Sequence, residues 1–147
     1  MTEQIYYDDV EPGQALPPLV RGPLRLKELV MFGAATNDYS EIHYDEAVCR
    51  DRALPGPLIH GPLKAALIAR MLTDWIGPDG EVKKLSCRYS RMDVAGDTIT
   101  CKGRVKSKLV KDGLHLVECE VAAENGKGEV AVHGTAIVSL PAKRCLS

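Results

Sequence analysis

The chain has 147 residues, of which 45% are hydrophobic and 27% charged, with a formal net charge of −1 at pH 7. That size suits one domain, residues 1–147, around a single core. The near-neutral balance leaves no basic footprint for a nucleic acid or an anionic membrane surface, and one Trp and one Phe supply few platforms for stacking bases.

The first thirteen residues carry acids and lack both a basic n-region and an apolar h-region, so they do not read as a signal peptide. Cys49, Cys87, Cys101, Cys119 and Cys145 are scattered without CxxC spacing. An odd, dispersed set reads as reduced thiols, and three of them sit in apolar, strand-like stretches where Cys behaves as a small hydrophobe. The expectation is a cytoplasmic protein with no metal-ligand cluster and no membrane span.

Residues 24–77 read mainly as helix and 82–140 as strand after strand. Leu26, Leu29, Val30 and Gly33 fall at helical spacing and predict a short helix over 26–36. A polar break follows at Asn37-Asp38-Tyr39-Ser40, then a second short helix near 45–52, stopped by Leu54-Pro55-Gly56-Pro57. From Leu63 to Ile76, ten of fourteen residues are apolar and appear at every helical angle. A helix apolar all round must be enclosed, and a membrane span would need roughly 20 residues and fewer charges. The later strands are the only material available to enclose it.

Those strands are marked by turn chemistry. Leu85, Cys87 and Tyr89 alternate with Ser86, Arg88 and Ser90; Ala95-Gly96-Asp97 leads into a strand over 98–110 on which Ile99, Cys101 and Val105 share a face. Asp112-Gly113 and Asn125-Gly126 are hairpin signals before strands over 114–123 and 129–140. Consecutive strands joined by tight turns predict an antiparallel meander. The architecture expected is α+β, one long helix lying in a curled antiparallel sheet.

Two places carry chemistry. Asp38 and His43 stand five residues apart across the polar break. A carboxylate and an imidazole beside one water can divide proton transfer between them. The rival reading has Asp38 bonded to its own turn and His43 as an ordinary loop residue. The second place is Ile59-His60-Gly61-Pro62, where the enclosed helix begins. A helix N-terminus presents unpaired N–H groups and the positive end of its dipole, which suits a developing oxyanion. Pro62 has no N–H to give, which leaves Gly61 as the natural donor. His60 duplicates the role open to His43 and reads as structural or substrate-lining. The rival here is a plain helix start with no ligand.

With these residues in view, a resemblance appears. Asn37-Asp38-Tyr39-Ser40-Glu41-Ile42-His43 resembles the hydratase motif of the MaoC-like (R)-specific enoyl-CoA hydratases, in which Asp and His are separated by four residues. Leu58-Ile59-His60-Gly61 is similar to the family's second signature, and the run from Arg88 to Thr98 to its Arg-aromatic…Gly-Asp-Thr strand and turn. The three stand in the family's order over roughly residues 25–140. The family usually has Asn-Pro at Ser40-Glu41, and Ile42-His43-Tyr44-Asp45 is similar to a divergent branch that often lacks the motif's Asp; this chain keeps Asp38.

The resemblance implies a hot-dog fold, a long central helix wrapped by a curved antiparallel sheet. It implies reversible addition of water across the 2,3 double bond of an enoyl thioester, equally a dehydration of the (R)-3-hydroxyacyl thioester. Asp38 and His43 would be catalytic, the Gly61 N–H the oxyanion donor, and His60 and Pro62 substrate-binding. No cofactor is implied beyond the coenzyme A or acyl-carrier phosphopantetheine of the substrate. Lys83, Lys84, Arg88 and Arg91 would meet coenzyme A phosphates or an acidic carrier, unless they are simply solvated. A homodimer or higher even oligomer is expected, or a heterodimer with a homologous subunit. Two rivals of other classes remain: a non-catalytic subunit completing a partner's site, and a thioesterase. Hot-dog thioesterases commonly carry an acid early on the central helix, whereas residues 61–70 contain no Asp or Glu.

Overall fold

The computed structural model describes residues 3–143; Cys145 lies outside them. Its helices are α1 (Leu26–Thr36), α2 (Glu46–Asp51) and α3 (Gly61–Ile76), and its strands β1 (Leu19–Arg21), β2 (Glu81–Tyr89), β3 (Ile99–Lys111), β4 (Leu114–Glu124) and β5 (Val130–Ser139).

The helix ends are set by local chemistry. The Glu28 carboxylate accepts the Arg25 N–H at 2.9 Å, one arm of a capping box, and Asn37 ends α1 in the left-handed region at φ 57°. Asp45 caps α2 by accepting from the Ala47 and Val48 N–H groups. Pro62 stands in the first turn of α3, and Gly77, at φ 74°, releases the chain from it.

Helix α3 lies against one face of the sheet. Lys64, Ile68, Met71, Leu72, Trp75 and Ile76 form its buried stripe. The opposite stripe, Pro62, Ala66, Arg70, Thr73 and Asp74, is exposed, so the helix is not enclosed all round as expected. Ala66 counts as apolar in the periodicity yet presents little surface, and leaving it in water beside Arg70, Thr73 and Asp74 costs little. The sheet supplies the other half of the core through Ile99, Cys101, Val105, Val117, Cys119 and Val138, all 1% exposed or less.

The five strands are antiparallel in the order β1-β3-β4-β5-β2. The meander holds for β3-β4-β5. At the first hairpin Asp112 and Gly113 both have positive φ, 51° and 77°, which matches the twist of the flanking strands. At the second, Asn125 Oδ1 accepts the Lys127 and Glu129 N–H groups, and the residue at positive φ is Gly128, not Gly126. The meander fails at β2, which pairs with β5 on the far edge. Residues 90–98 are therefore a crossing segment rather than a tight turn. They are pinned to the start of α3 by the Ile59 N–H to the Asp93 carbonyl (2.8 Å) and by a bridge between Leu58 and Val94. Strand β1 was not expected; it adds three residues to the edge beside β3. Among the described residues, no helix is long and apolar enough to cross a membrane.

Candidate active site

The site lies where α1 ends, a 3₁₀ turn follows, and α3 begins. The Asp38 N–H returns to the Gly33 carbonyl at 2.8 Å, so the carboxylate is set directly after the helix. Its Oδ1 accepts the Ser40 N–H at 3.2 Å, which is the local turn bond anticipated as the bland alternative. The other oxygen is directed elsewhere: Oδ2 lies 3.5 Å from His43 Nε2. Asp38 thus serves its turn and faces the imidazole together.

His43 closes the 3₁₀ turn Glu41–His43. Its Nδ1 lies 2.7 Å from the Leu58 carbonyl. A carbonyl can only accept, so Nδ1 carries the hydrogen and Nε2 is the ring atom that faces Asp38. The Leu58 N–H bonds the Ile42 carbonyl at 2.8 Å, which locks the two segments in register.

His60, the residue preceding α3, stacks on His43 with ring centroids 3.6 Å apart and planes 17° from parallel. Its Nε2 is 4.0 Å from Asp38 Oδ2, and Phe32 meets it edge-on at 5.1 Å. His60 is 1% exposed, and neither ring nitrogen has a hydrogen-bond partner among the described residues. Burial, assisted by the neighbouring His43, pushes its pKa below the usual value, with Asp38 pulling weakly the other way. His60 is thus neutral near pH 7. A cavity of about 170 Å³ opens onto these three side chains, walled by Leu29, Val30, Gly33 and Ala34 of α1 and by Tyr39 and Tyr44.

The structure therefore joins Asp38, His43 and His60, and places Gly61 and Pro62 beside them rather than in the cavity wall. Gly61 opens α3, which no side chain caps, so the first N–H groups of the helix are not taken by a side chain. A Cβ on Gly61 would lie 3.1–3.3 Å from the Tyr89 ring. Of the four basic residues considered for phosphates, Arg91 pairs with Glu129 at 2.9 Å and Lys83 with Glu81.

Two functional features were missed in the sequence. Gly33 has a backbone oxygen, that of Asp38, only 2.6 Å from where a Cβ would stand. Only a glycine lets α1 end so close to the carboxylate. The second is a buried ion pair between Lys64 and Asp93, one helical turn behind His60. Lys64 falls in register with Ile68 and Leu72 on the buried stripe, and that register was its only signal.

Against known proteins, the MaoC like domain matches residues 9–140. The chain is 30% identical over 112 residues, 76% of it and 81% of the relative, to the 3-oxo-4,17-pregnadiene-20-carboxyl-CoA hydratase beta subunit of Mycobacterium tuberculosis. It is 25% identical over 115 residues, 78% of it and 84% of the relative, to the (R)-specific enoyl-CoA hydratase of Aeromonas caviae. Among solved structures it is similar to a chain of the ChsH1-ChsH2 complex from Mycobacterium tuberculosis, with a TM-score of 0.77 and 27% identity over 88% of this chain and 98% of that one.

Proposed function

The chain belongs to the MaoC-like dehydratase family, and on that premise we propose that it hydrates a trans-2-enoyl thioester, and in reverse dehydrates the 3-hydroxyacyl thioester. The observation that carries this reading is the His43 ring. Pinned through Nδ1 to Leu58, it aims Nε2 at the free oxygen of Asp38. Water held between the two gives a proton to one of them as its oxygen bonds to C3. That proton is then passed on to C2, directly or by way of the partner group, so the pair returns to its starting protonation state, one water is added and no other reactant is consumed.

Charge develops on the thioester oxygen as C3 is attacked. The uncapped N-terminus of α3, with the Gly61 N–H foremost, would stabilise it, and a donor of this kind is worth about 3 kcal/mol of barrier. His60 supports His43 from behind by stacking. The acyl group would lie along the apolar wall of α1, formed by Leu29, Val30 and Ala34.

A second chain completes the assembly in this reading, either another copy or a homologous subunit. Two edge strands, β1 and β2, are open to pairing. Val30 and Tyr39, on the cavity wall, are 49% and 64% exposed. The mycobacterial relative named as a beta subunit favours the heteromeric form. Since Asp38 and His43 are both present here, this chain would then be the subunit bearing the proton-transfer pair.

The test is hydration of crotonyl-CoA and of longer, branched and dicarboxylic enoyl-CoAs by the purified chain, followed by loss of the enoyl absorbance. Turnover of at least one substrate, abolished in Asp38→Asn, is expected. Failure with every substrate, both alone and in the presence of co-purifying subunits, would reject the assignment.

A further inference from the structure

Lys64 is the one charged member of the buried stripe of α3, beside Ile68, Met71 and Leu72, and is 1% exposed. Its ammonium lies 2.8 Å from Asp93 Oδ2 and donates also to the Arg91 carbonyl at 3.2 Å. Asn125 Nδ2 satisfies the second carboxylate oxygen of Asp93 at 3.2 Å. Stripping water from two opposite charges offsets most of their attraction, so an apolar pair of similar volume would hold the core as well. Stability alone therefore gives no reason for the pair.

What an ion pair adds to apolar packing is direction. Hydrophobic burial fixes no angle, whereas charge-assisted hydrogen bonds fix both distance and orientation. Here they act on the junction where the chain enters α3. Upstream, the Asp93 carbonyl accepts the Ile59 N–H at 2.8 Å, and Leu58 bridges to Val94. Downstream, one turn into the helix, the Asp93 carboxylate holds Lys64. One residue of the crossing segment thus grips the junction from both sides. Residues 58–61 carry three parts of the site: the Leu58 carbonyl that takes the His43 Nδ1–H, the His60 ring stacked on His43, and the Gly61 N–H.

We propose that Lys64 and Asp93 are positioning residues for proton transfer. By clamping residues 58–61 they hold the Leu58 carbonyl against His43, which keeps the ring in its Nδ1–H tautomer with Nε2 facing Asp38. Neither residue touches the substrate. A displacement of about 1 Å in a catalytic group can cost roughly 100-fold in rate. The clamp stands on the geometry; its effect on turnover rests on the hydratase reading.

The experiment compares the full chain with two double variants. Lys64→Leu/Asp93→Val fills the space with apolar groups, and Lys64→Gln/Asp93→Asn removes the charges but keeps a directional hydrogen bond. Each is measured for thermal midpoint, for kcat and KM on the best enoyl-CoA, and by NMR of protein labelled with nitrogen-15 histidine. The His43 signals are those missing from His43→Gln. The apolar pair should melt at or above the parent's temperature. Its kcat should fall at least about tenfold with KM within about threefold, and its His43 Nδ1–H signal should be lost to exchange with water. The hydrogen-bonded pair should keep that signal and a kcat within about threefold of the parent. A folded apolar pair with kcat and ring signal unchanged would overturn the proposal. So would an apolar pair that cannot fold, since the charges would then serve the fold itself. A lower kcat with the ring signal intact would overturn the route through His43. Loss of the signal in the folded hydrogen-bonded pair would overturn the argument from direction. In a chain that hydrates nothing, loss of the His43 signal in the apolar pair would still support the clamp and leave the hydratase reading as what fails.

Discussion

Lys64 Nζ lies 2.8 Å from Asp93 Oδ2, with the two side chains 2% and 0% exposed. Lys64 also donates to the Arg91 carbonyl at 3.2 Å, and Asn125 Nδ2 donates to Asp93 Oδ1 at 3.2 Å. The main-chain carbonyl of Asp93 accepts from Ile59, whose neighbour Leu58 orients His43. The ion pair thus ties the crossing segment to the central helix just below the site.

Breaking such a pair leaves a charge uncompensated in the interior. Lys64→Met is expected to cost about 3 kcal/mol in urea unfolding. Adding Asp93→Asn removes the stranded charge and should recover at least about 1 kcal/mol. A double variant whose loss equals the sum of the two single losses would show that the residues do not interact.

Asp38→Asn and His43→Gln remove proton-transfer groups without opening a core cavity. Each should lower kcat on the best enoyl-CoA by at least about 100-fold, with the thermal midpoint of Asp38→Asn within a few degrees of the parent. A kcat within threefold of the parent in both variants would place the proton chemistry elsewhere.

Gly33→Ala tests how closely α1 may approach Asp38. The new methyl would stand 2.6 Å from the Asp38 carbonyl oxygen, a backbone atom, so the loop must shift. A stability loss of about 1–3 kcal/mol is expected, with a fall in kcat of at least about tenfold because the carboxylate moves off His43. Unchanged kinetics would mean that the loop tolerates the displacement.

Gly61→Ala keeps the N–H and suits a helix, yet its methyl would stand 3.1–3.3 Å from the Tyr89 ring. We expect kcat/KM to fall at least about tenfold, near 1.4 kcal/mol of barrier. The double variant Gly61→Ala/Tyr89→Ala separates two causes. Recovery would trace the loss to the displaced ring, and persistent loss would trace it to crowding of the thioester itself.

Local chemistry was readable wherever it decided local form. The spacing of Leu26, Leu29, Val30 and Gly33 set the bounds of α1, and Asp112-Gly113 marked a turn that needs two positive φ values. Strand order was not readable, because β2 pairs with β5 and the chain passes from β2 to β3 through a crossing segment whose anchors, Ile59 and Asp93, are distant in the chain. Strand β1 has three residues between Pro18 and Pro23, too few for a period to register. In the site, the Asp38–His43 spacing raised the pair, but His60 had looked redundant with His43. Stacking brought by the α3 junction is what groups all three.

Free thiols on the central strands have a practical consequence. Cys101 and Cys119 are 0% exposed, and burial pushes both thiols up to about 12. An alkylating reagent needs a thiolate within reach, so at pH 8 neither cysteine should react while β3 and β4 stay paired. Labelling then advances only as often as the sheet comes apart, and its rate at saturating reagent counts those openings. The two sulfurs thus serve as a built-in clock for the whole sheet, readable by mass spectrometry without adding a probe.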